Sequence, residues 1–87
     1  MTVQNDPQAL AEQLAAATRS GSLSAAYSVL QAVPGPMLKE VGLRSGFAAD
    51  TAKKPRDVMA FLLPQVAEAT RHGTDGHGLR KIAKAAR

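Results

Sequence analysis

Two histidines and an aspartate are the residues whose types and spacing come closest to those of a metal site. His72, Asp75 and His77 lie within six residues of one another, and imidazole and carboxylate groups are common metal ligands. No second group of ligand residues accompanies them, and the sequence has no cysteine. We therefore expect this segment to be a solvated loop, and we expect no metal site and no cofactor.

Residue arrangements typical of catalysis are also missing. No serine, histidine and acid signature is present, and no glycine-rich loop follows a strand pattern, so neither nucleophilic catalysis nor phosphate cradling is indicated. The acidic residues are scattered singly, which gives no basis for a paired-carboxylate site. We expect that the protein is not an enzyme.

The residues best placed to bind a ligand are the cations of the Lys-Lys-Pro-Arg motif at residues 53–56. Proline is favoured in the first turn of a helix, so the motif predicts a helix N-terminus. The backbone N–H groups and the dipole at such an end favour an anion such as phosphate. The candidate contacts are Lys53, Lys54 and Arg56. The alternative is a solvated turn whose charge is partly balanced by Asp50 and Asp57.

A second group of cations lies toward the C-terminal end of the sequence. Residues 71–87 contain five basic side chains against one acid, Asp75, whereas residues 1–38 contain a single cation, Arg19. The net charge of +4 is therefore unevenly placed, which is a hint of an anionic partner. The candidate contacts in this group are Arg80, Lys81, Lys84 and Arg87.

Helical periodicity in five segments supplies the elements that position these residues. Asp6 and Ser22 are predicted N-caps of the first two helices. The predicted helices run from Pro7 to near Gly21, from Ser22 to Val33, from Pro36 to Gly46, from Pro55 to Gly73, and over residues 79–87. No segment shows the alternation of a strand. The predicted fold class is all-α, a small irregular bundle of four to five short helices.

The apolar positions of these helices predict a lean core, because the sequence has only three aromatic residues. Phe47 is expected to be buried at the start of a loop over residues 47–54. Pro64 lies inside the fourth helix, where it predicts a kink or a restart. The residues expected to be buried together are Leu30, Val41, Val58, Phe61 and Leu62.

The length of 87 residues predicts one domain. We expect a disordered N-terminus over residues 1–5, a helical domain over 6–73, and a flexible connector followed by a short basic helix over 74–87. No secretory signal and no apolar stretch of membrane-spanning length is evident. The expected compartment is therefore the cytoplasm.

The stretch from Leu38 to Phe47, which reads Leu-Lys-Glu-Val-Gly-Leu-Arg-Ser-Gly-Phe, resembles the first half of a SAP domain. It is similar also to the N-terminal domain of Rho termination factors. Those modules open a short helix with a Leu-Lys pair, place an aliphatic residue three positions later, and continue with a glycine and an apolar residue. A loop and a second helix that begins at lysine follow. The resemblance covers residues 29–63.

This resemblance implies a module of two helices joined by an extended loop, which meets the nucleic-acid backbone through the loop and its second helix. The loop would be residues 48–52, and the apolar face of the second helix would include Val58, Phe61 and Leu62. The contacts carried over from the family are Lys53, Lys54 and Arg56.

These observations predict a small nucleic-acid-binding accessory or regulatory protein of bacterial or phage type, with contacts mainly to phosphate and no sequence specificity. The alternative is a protein–protein adaptor or inhibitor that docks an amphipathic helix on another protein, with self-association left open. Its basis is the Ala-rich first helix and the stripe of Leu79, Ile82 and Ala86 in the last helix. A membrane partner is not expected, because the basic helix lacks aromatic anchors.

Overall fold

The computed structural model describes residues 6–47 and 54–85, and the chain forms five α-helices within them. The helices are α1 (Pro7–Arg19), α2 (Leu23–Ala32), α3 (Leu38–Arg44), α4 (Pro55–His72) and α5 (Gly76–Ala85). A 3₁₀ turn over Gly35–Met37 precedes α3, where the sequence predicted the first turn of that helix. These ranges contain no strand, and the predicted all-α bundle is confirmed. The prediction for residues 1–5 lies outside the described ranges.

Local capping sets the first two helices, as predicted. The Asp6 carboxylate accepts a hydrogen bond from the Gln8 backbone N–H at 3.1 Å, and the Ser22 hydroxyl accepts one from the Ala25 N–H at 3.2 Å. Each cap satisfies one backbone donor that the first turn leaves without a partner. Gly21 separates the two helices with a φ of 78°, a left-handed conformation that favours glycine.

The longest helix, α4, holds the bundle together because it packs against each of the other four helices or their connections. Its buried residues recur at helical spacing and form one stripe that faces α1, α2 and α3. The core is built from few large side chains and several alanines. Its largest fully buried members are Phe47, Leu10, Leu14, Leu30, Leu62, Val41, Val66 and Thr18.

The prediction is wrong for one of the five residues that were expected in the core. Leu30, Val41, Val58 and Leu62 are buried, but Phe61 is 37% exposed. The buried stripe of α4 passes through Val58, Leu62 and Val66 at intervals of four residues. Phe61 precedes Leu62 by one position, which turns its side chain about 100° around a helix with 3.6 residues per turn. The ring therefore points to the edge of the stripe and into solvent.

The sequence predicted a kink or a restart at Pro64. The proline lies within α4 without ending it, so the helix does not restart there. A proline inside a helix costs about 3 kcal/mol, because it removes one backbone hydrogen bond and crowds the preceding turn. Leu62 and Val66 lie on either side of Pro64 and are both fully buried in the same core. Their packing holds the two halves of α4 in one helix.

The last helix begins at Gly76, three residues before the predicted start at Leu79. Asp75 accounts for the earlier start. Its carboxylate accepts a hydrogen bond from the Gly78 N–H at 2.7 Å, and its carbonyl accepts one from the Leu79 N–H at 2.9 Å. Part of the predicted Gly-rich connector over 74–78 is therefore the first turn of α5.

The start of α5 is packed tightly against the turn that follows α3. Gly76 is buried there, and a Cβ atom on it would lie 2.6 Å from the backbone of Ser45 and of Gly46. The Arg19 guanidinium at the end of α1 adds a salt bridge of 3.1 Å to Asp75.

None of the helices in the described residues has an apolar stretch that could span a bilayer.

Candidate functional site

The first group of predicted contacts lies where α4 begins. Lys54 is the N-cap residue and Arg56 lies in the first turn, and both are exposed. Among the described residues, no side chain caps the backbone N–H groups of this turn, unlike the first turns of α1 and α2. Two cations therefore flank backbone N–H groups that can donate hydrogen bonds to an anion. Lys53 lies outside the described residues.

The second group lies on α5. Arg80, Lys81 and Lys84 are all exposed. Arg80 and Lys84 are four residues apart and share one side of the helix, whereas Leu79 and Ile82 lie on the other side. Each residue from Arg80 to Ala85 is exposed, so this half of α5 extends beyond the body of the bundle. Arg87 lies outside the described residues.

The two groups lie on different helices, at the start of α4 and on α5. Arg56 lies in the first turn of α4, and Arg80 comes after its last turn. The 18 residues of α4 span about 27 Å at the rise of an α-helix. The sequence prediction did not state how the two groups are arranged, and the fold places them on separate helices.

The arginines outside these two groups have acidic partners. Arg19 pairs with Asp75 at 3.1 Å, and Arg44 pairs with Glu40 at 2.7 Å while also donating to the Gln8 amide at 3.1 Å. Arg71 pairs with Glu68. By contrast, no salt bridge joins the five described residues of the two groups to a carboxylate in the described part of the chain.

Glu68 is the centre of a small charged cluster near the end of α4. Hydrogen bonds from Arg71 and then from His72 lower the pKa of its carboxyl below the ordinary value, because they stabilise the charged form. The His72 Nε2 atom lies 3.0 Å from this carboxylate. The cluster is exposed, and the Glu68 carboxylate offsets part of the charge of Arg71 at the surface.

The three candidate metal ligands, His72, Asp75 and His77, each make a different contact within the fold. His72 faces Glu68, Asp75 caps α5, and His77 lies in the first turn of α5 beside Gly46. Among the described residues, no three His, Asp or Glu side chains are arranged to share a metal ion.

Sequence reasoning left out two exposed residues near these groups. Lys39, on α3, is exposed and has no salt bridge to a described carboxylate. Its position in the Leu-Lys pair of the resemblance was the available signal. Phe61 was assigned to the core from its apolar type. The available signal was that the residues four positions away from it, Asp57 and Gln65, are polar, whereas those four away from Leu62 are valines.

The candidate residues lie on open helix surfaces, and the described part of the chain forms no pocket. A scan against protein-family models gave no match, and searches of curated proteins and of solved structures gave none either. The functional assignment therefore rests on the side chains described above.

Proposed function

We propose that this chain is a small cytoplasmic nucleic-acid-binding protein of accessory or regulatory type that contacts the phosphate backbone. The observation that carries the proposal is the separation of its cations into two kinds. Arg19, Arg44 and Arg71 pair with acids of the fold. The cations at the start of α4 and on α5 are exposed and have no such partner among the described residues. Exposed cations without acidic partners are available to phosphates.

The start of α4 is the stronger of the two contact points. The N-terminus of a helix carries partial positive charge, so cations placed there are repelled by the helix dipole. A bound anion offsets this repulsion. The first turn of α4, which no described side chain caps, adds backbone N–H donors to Lys54 and Arg56, and such donors bind phosphate oxygens without reading sequence. We therefore propose binding that depends strongly on salt and weakly on sequence.

The second contact point is the exposed half of α5. Because α4 separates it from Lys54 and Arg56, the two points contact different phosphates. Losses at distant sites add in free energy. We therefore expect removal of residues 79–87 to weaken binding by a factor that multiplies the loss at Lys54 and Arg56.

A salt titration with matched variants tests the proposal. Fluorescent oligonucleotides are titrated with wild-type protein, with the double variant Lys54→Ala/Arg56→Ala, and with the control Arg44→Ala/Arg71→Ala. Both variants remove two positive charges, but the control removes cations that pair with Glu40 and Glu68. Loss of two phosphate contacts reduces the slope of log K against log salt by about 1.8 on duplex DNA.

The expected result is a weaker and less salt-dependent complex for Lys54→Ala/Arg56→Ala, with little change for the control. Equal effects of the two variants would show that only net charge matters, which contradicts a defined contact point. If wild-type protein fails to bind duplex and single-stranded oligonucleotides at about 50 mM salt, where the counterion effect is strong, the proposal is wrong.

A second candidate function, docking on a protein, is favoured by Ile82. This side chain is 39% exposed on the apolar side of α5, beyond the part of the helix that touches the core. An adaptor helix would present this kind of surface to a groove. Under this alternative, substitutions at Leu79 and Ile82 weaken partner binding more than substitutions at Arg80 and Lys84, and oligonucleotide binding is absent.

A further inference from the structure

Phe61 is the exposed member of the three aromatic residues in this sequence. Phe47 is fully buried and Tyr27 packs against the core, but Phe61 is 37% exposed on α4. The protein has few large apolar side chains to build a core. Leu23, Leu43 and Ile82 are exposed to a similar degree, but Phe61 is the one aromatic ring among these exposed apolar side chains.

The ring lies on the side of α4 that Lys54 begins. Phe61 follows Lys54 by seven residues, about two turns and roughly 10 Å along the helix axis. Arg56 precedes the ring by five residues, about 7.5 Å along the axis and roughly 140° around the helix. Ala60 and Pro64 are also exposed. Both side chains are small, and the surface available to a ligand is the exposed 37% of Phe61.

An unpaired nucleobase fits this combination better than a base pair does. The bases of a duplex are stacked inside it, so a ring beside the backbone gains little from them. A base in a single strand presents its π-face, and proteins that bind single strands combine cations along the backbone with aromatic rings on which bases stack. Such stacking tolerates any sequence, in agreement with contacts that are mainly to phosphate.

We propose that the start of α4 binds single-stranded nucleic acid, with one base stacked on Phe61, a phosphate held by Lys54 on the same side of the helix, and a further phosphate held by Arg56 where the strand passes over the end of the helix. The inference rests on the proposed nucleic-acid binding and adds the class of ligand. A second copy of this chain does not fit the surface, because it would bring two sets of cations together. An acidic protein surface is tested below as another occupant.

Asp57 limits where the phosphates lie. It is exposed and four residues before Phe61, so it shares that side of the helix. Its carboxylate repels a phosphate placed directly beside the ring. The backbone is therefore expected to pass over Lys54 and Arg56, and Asp57→Asn is expected to increase affinity for the single strand.

The test compares an oligothymidine strand, an abasic strand of equal length and charge, and a duplex. Wild-type protein is measured beside Phe61→Leu, which keeps an apolar side chain but removes the ring, and Phe61→Tyr, which keeps the ring. Phe61→Leu is expected to lower affinity for oligothymidine roughly five- to 150-fold, the range for loss of one stacked base. Its affinity for the abasic strand is expected to match that of wild type, and Phe61→Tyr should retain oligothymidine binding.

The outcomes separate this inference from the proposed function. If Phe61→Leu binds oligothymidine as tightly as wild type, or if wild type prefers the duplex, the ring does not stack on a base. The inference then fails, whereas the proposed function stands as long as Lys54→Ala/Arg56→Ala weakens binding. If wild type binds no oligonucleotide, both fail. Circular dichroism of each variant verifies that it is folded at the assay temperature.

Two further outcomes identify another occupant of the surface. A wild-type mass of two chains that Phe61→Leu reduces to one would assign the ring to an interface between copies. Oligothymidine binding that a polyglutamate peptide displaces from wild type, but not from Phe61→Leu, would assign the ring to an acidic protein. Either result overturns the inference.

Discussion

The same change, phenylalanine to alanine, can be made in the core at Phe47 and at the surface at Phe61. Phe47 is 1% exposed and Phe61 is 37% exposed. Alanine at either position removes the same ring. The difference between the two losses in the free energy of unfolding therefore reports the surroundings of each ring.

The expected magnitudes follow from these exposures. Phe47→Ala should lower the free energy of unfolding by about 3–5 kcal/mol, because it leaves a cavity in the core. More than half of the Phe61 surface is covered, but solvent can fill the space that its ring leaves. Alanine is also the better helix former by roughly 0.5 kcal/mol. We therefore expect Phe61→Ala to cost about 1–2 kcal/mol, within the usual range for single substitutions.

Urea denaturation followed by far-ultraviolet circular dichroism measures both losses. A domain of this size has a total stability of about 4–13 kcal/mol, so Phe47→Ala should shift the midpoint strongly. The slope of each transition must match that of wild type for the comparison to hold. If Phe47→Ala does not fold, Phe47→Leu gives the same comparison against Phe61→Leu with a smaller loss.

Losses of equal size, or a larger loss at Phe61, would refute the orientation of α4. The ring of Phe61 would then belong to the core, as its residue type suggested. The stacking surface proposed for Phe61 would be refuted with it.

Other expectations follow from the packing of α5 and from the charges on α4. Gly76→Ala should lower the free energy of unfolding by about 1–3 kcal/mol, because the added Cβ meets backbone atoms at 2.6 Å and overpacking has costs of this size. Asp75→Ala should cost about 0.5–2 kcal/mol in the same urea assay through loss of the cap on Gly78. The folded pKa of Glu68 is lowered, so its contribution to stability is present above the unfolded pKa and is lost as the pH falls through the folded pKa. Nuclear magnetic resonance titration should show the lowered pKa of Glu68. The variant Glu68→Gln should lose less stability than wild type as the pH falls, because the contribution of this carboxylate is already absent.

The ends of the first helices and the fold class were predictable from the sequence, because they depend on neighbouring residues. Asp6 and Ser22 cap the turns that directly follow them, and Gly21 and Gly73 adopt the left-handed conformation at helix ends. Capping and glycine conformation act within a few residues, so no tertiary contact is needed to predict them. The exposure of Lys54, Arg56 and the α5 cations also follows from their charge.

The tertiary structure decided how far the buried side of α4 extends and which cations have partners. Phe61 and Leu62 are both apolar, and packing against α1, α2 and α3 selected Leu62. Arg19 and Asp75 are 56 residues apart in sequence, yet they form a salt bridge. Contacts of this kind depend on how helices distant in sequence pack together, which the sequence pattern of one helix does not contain.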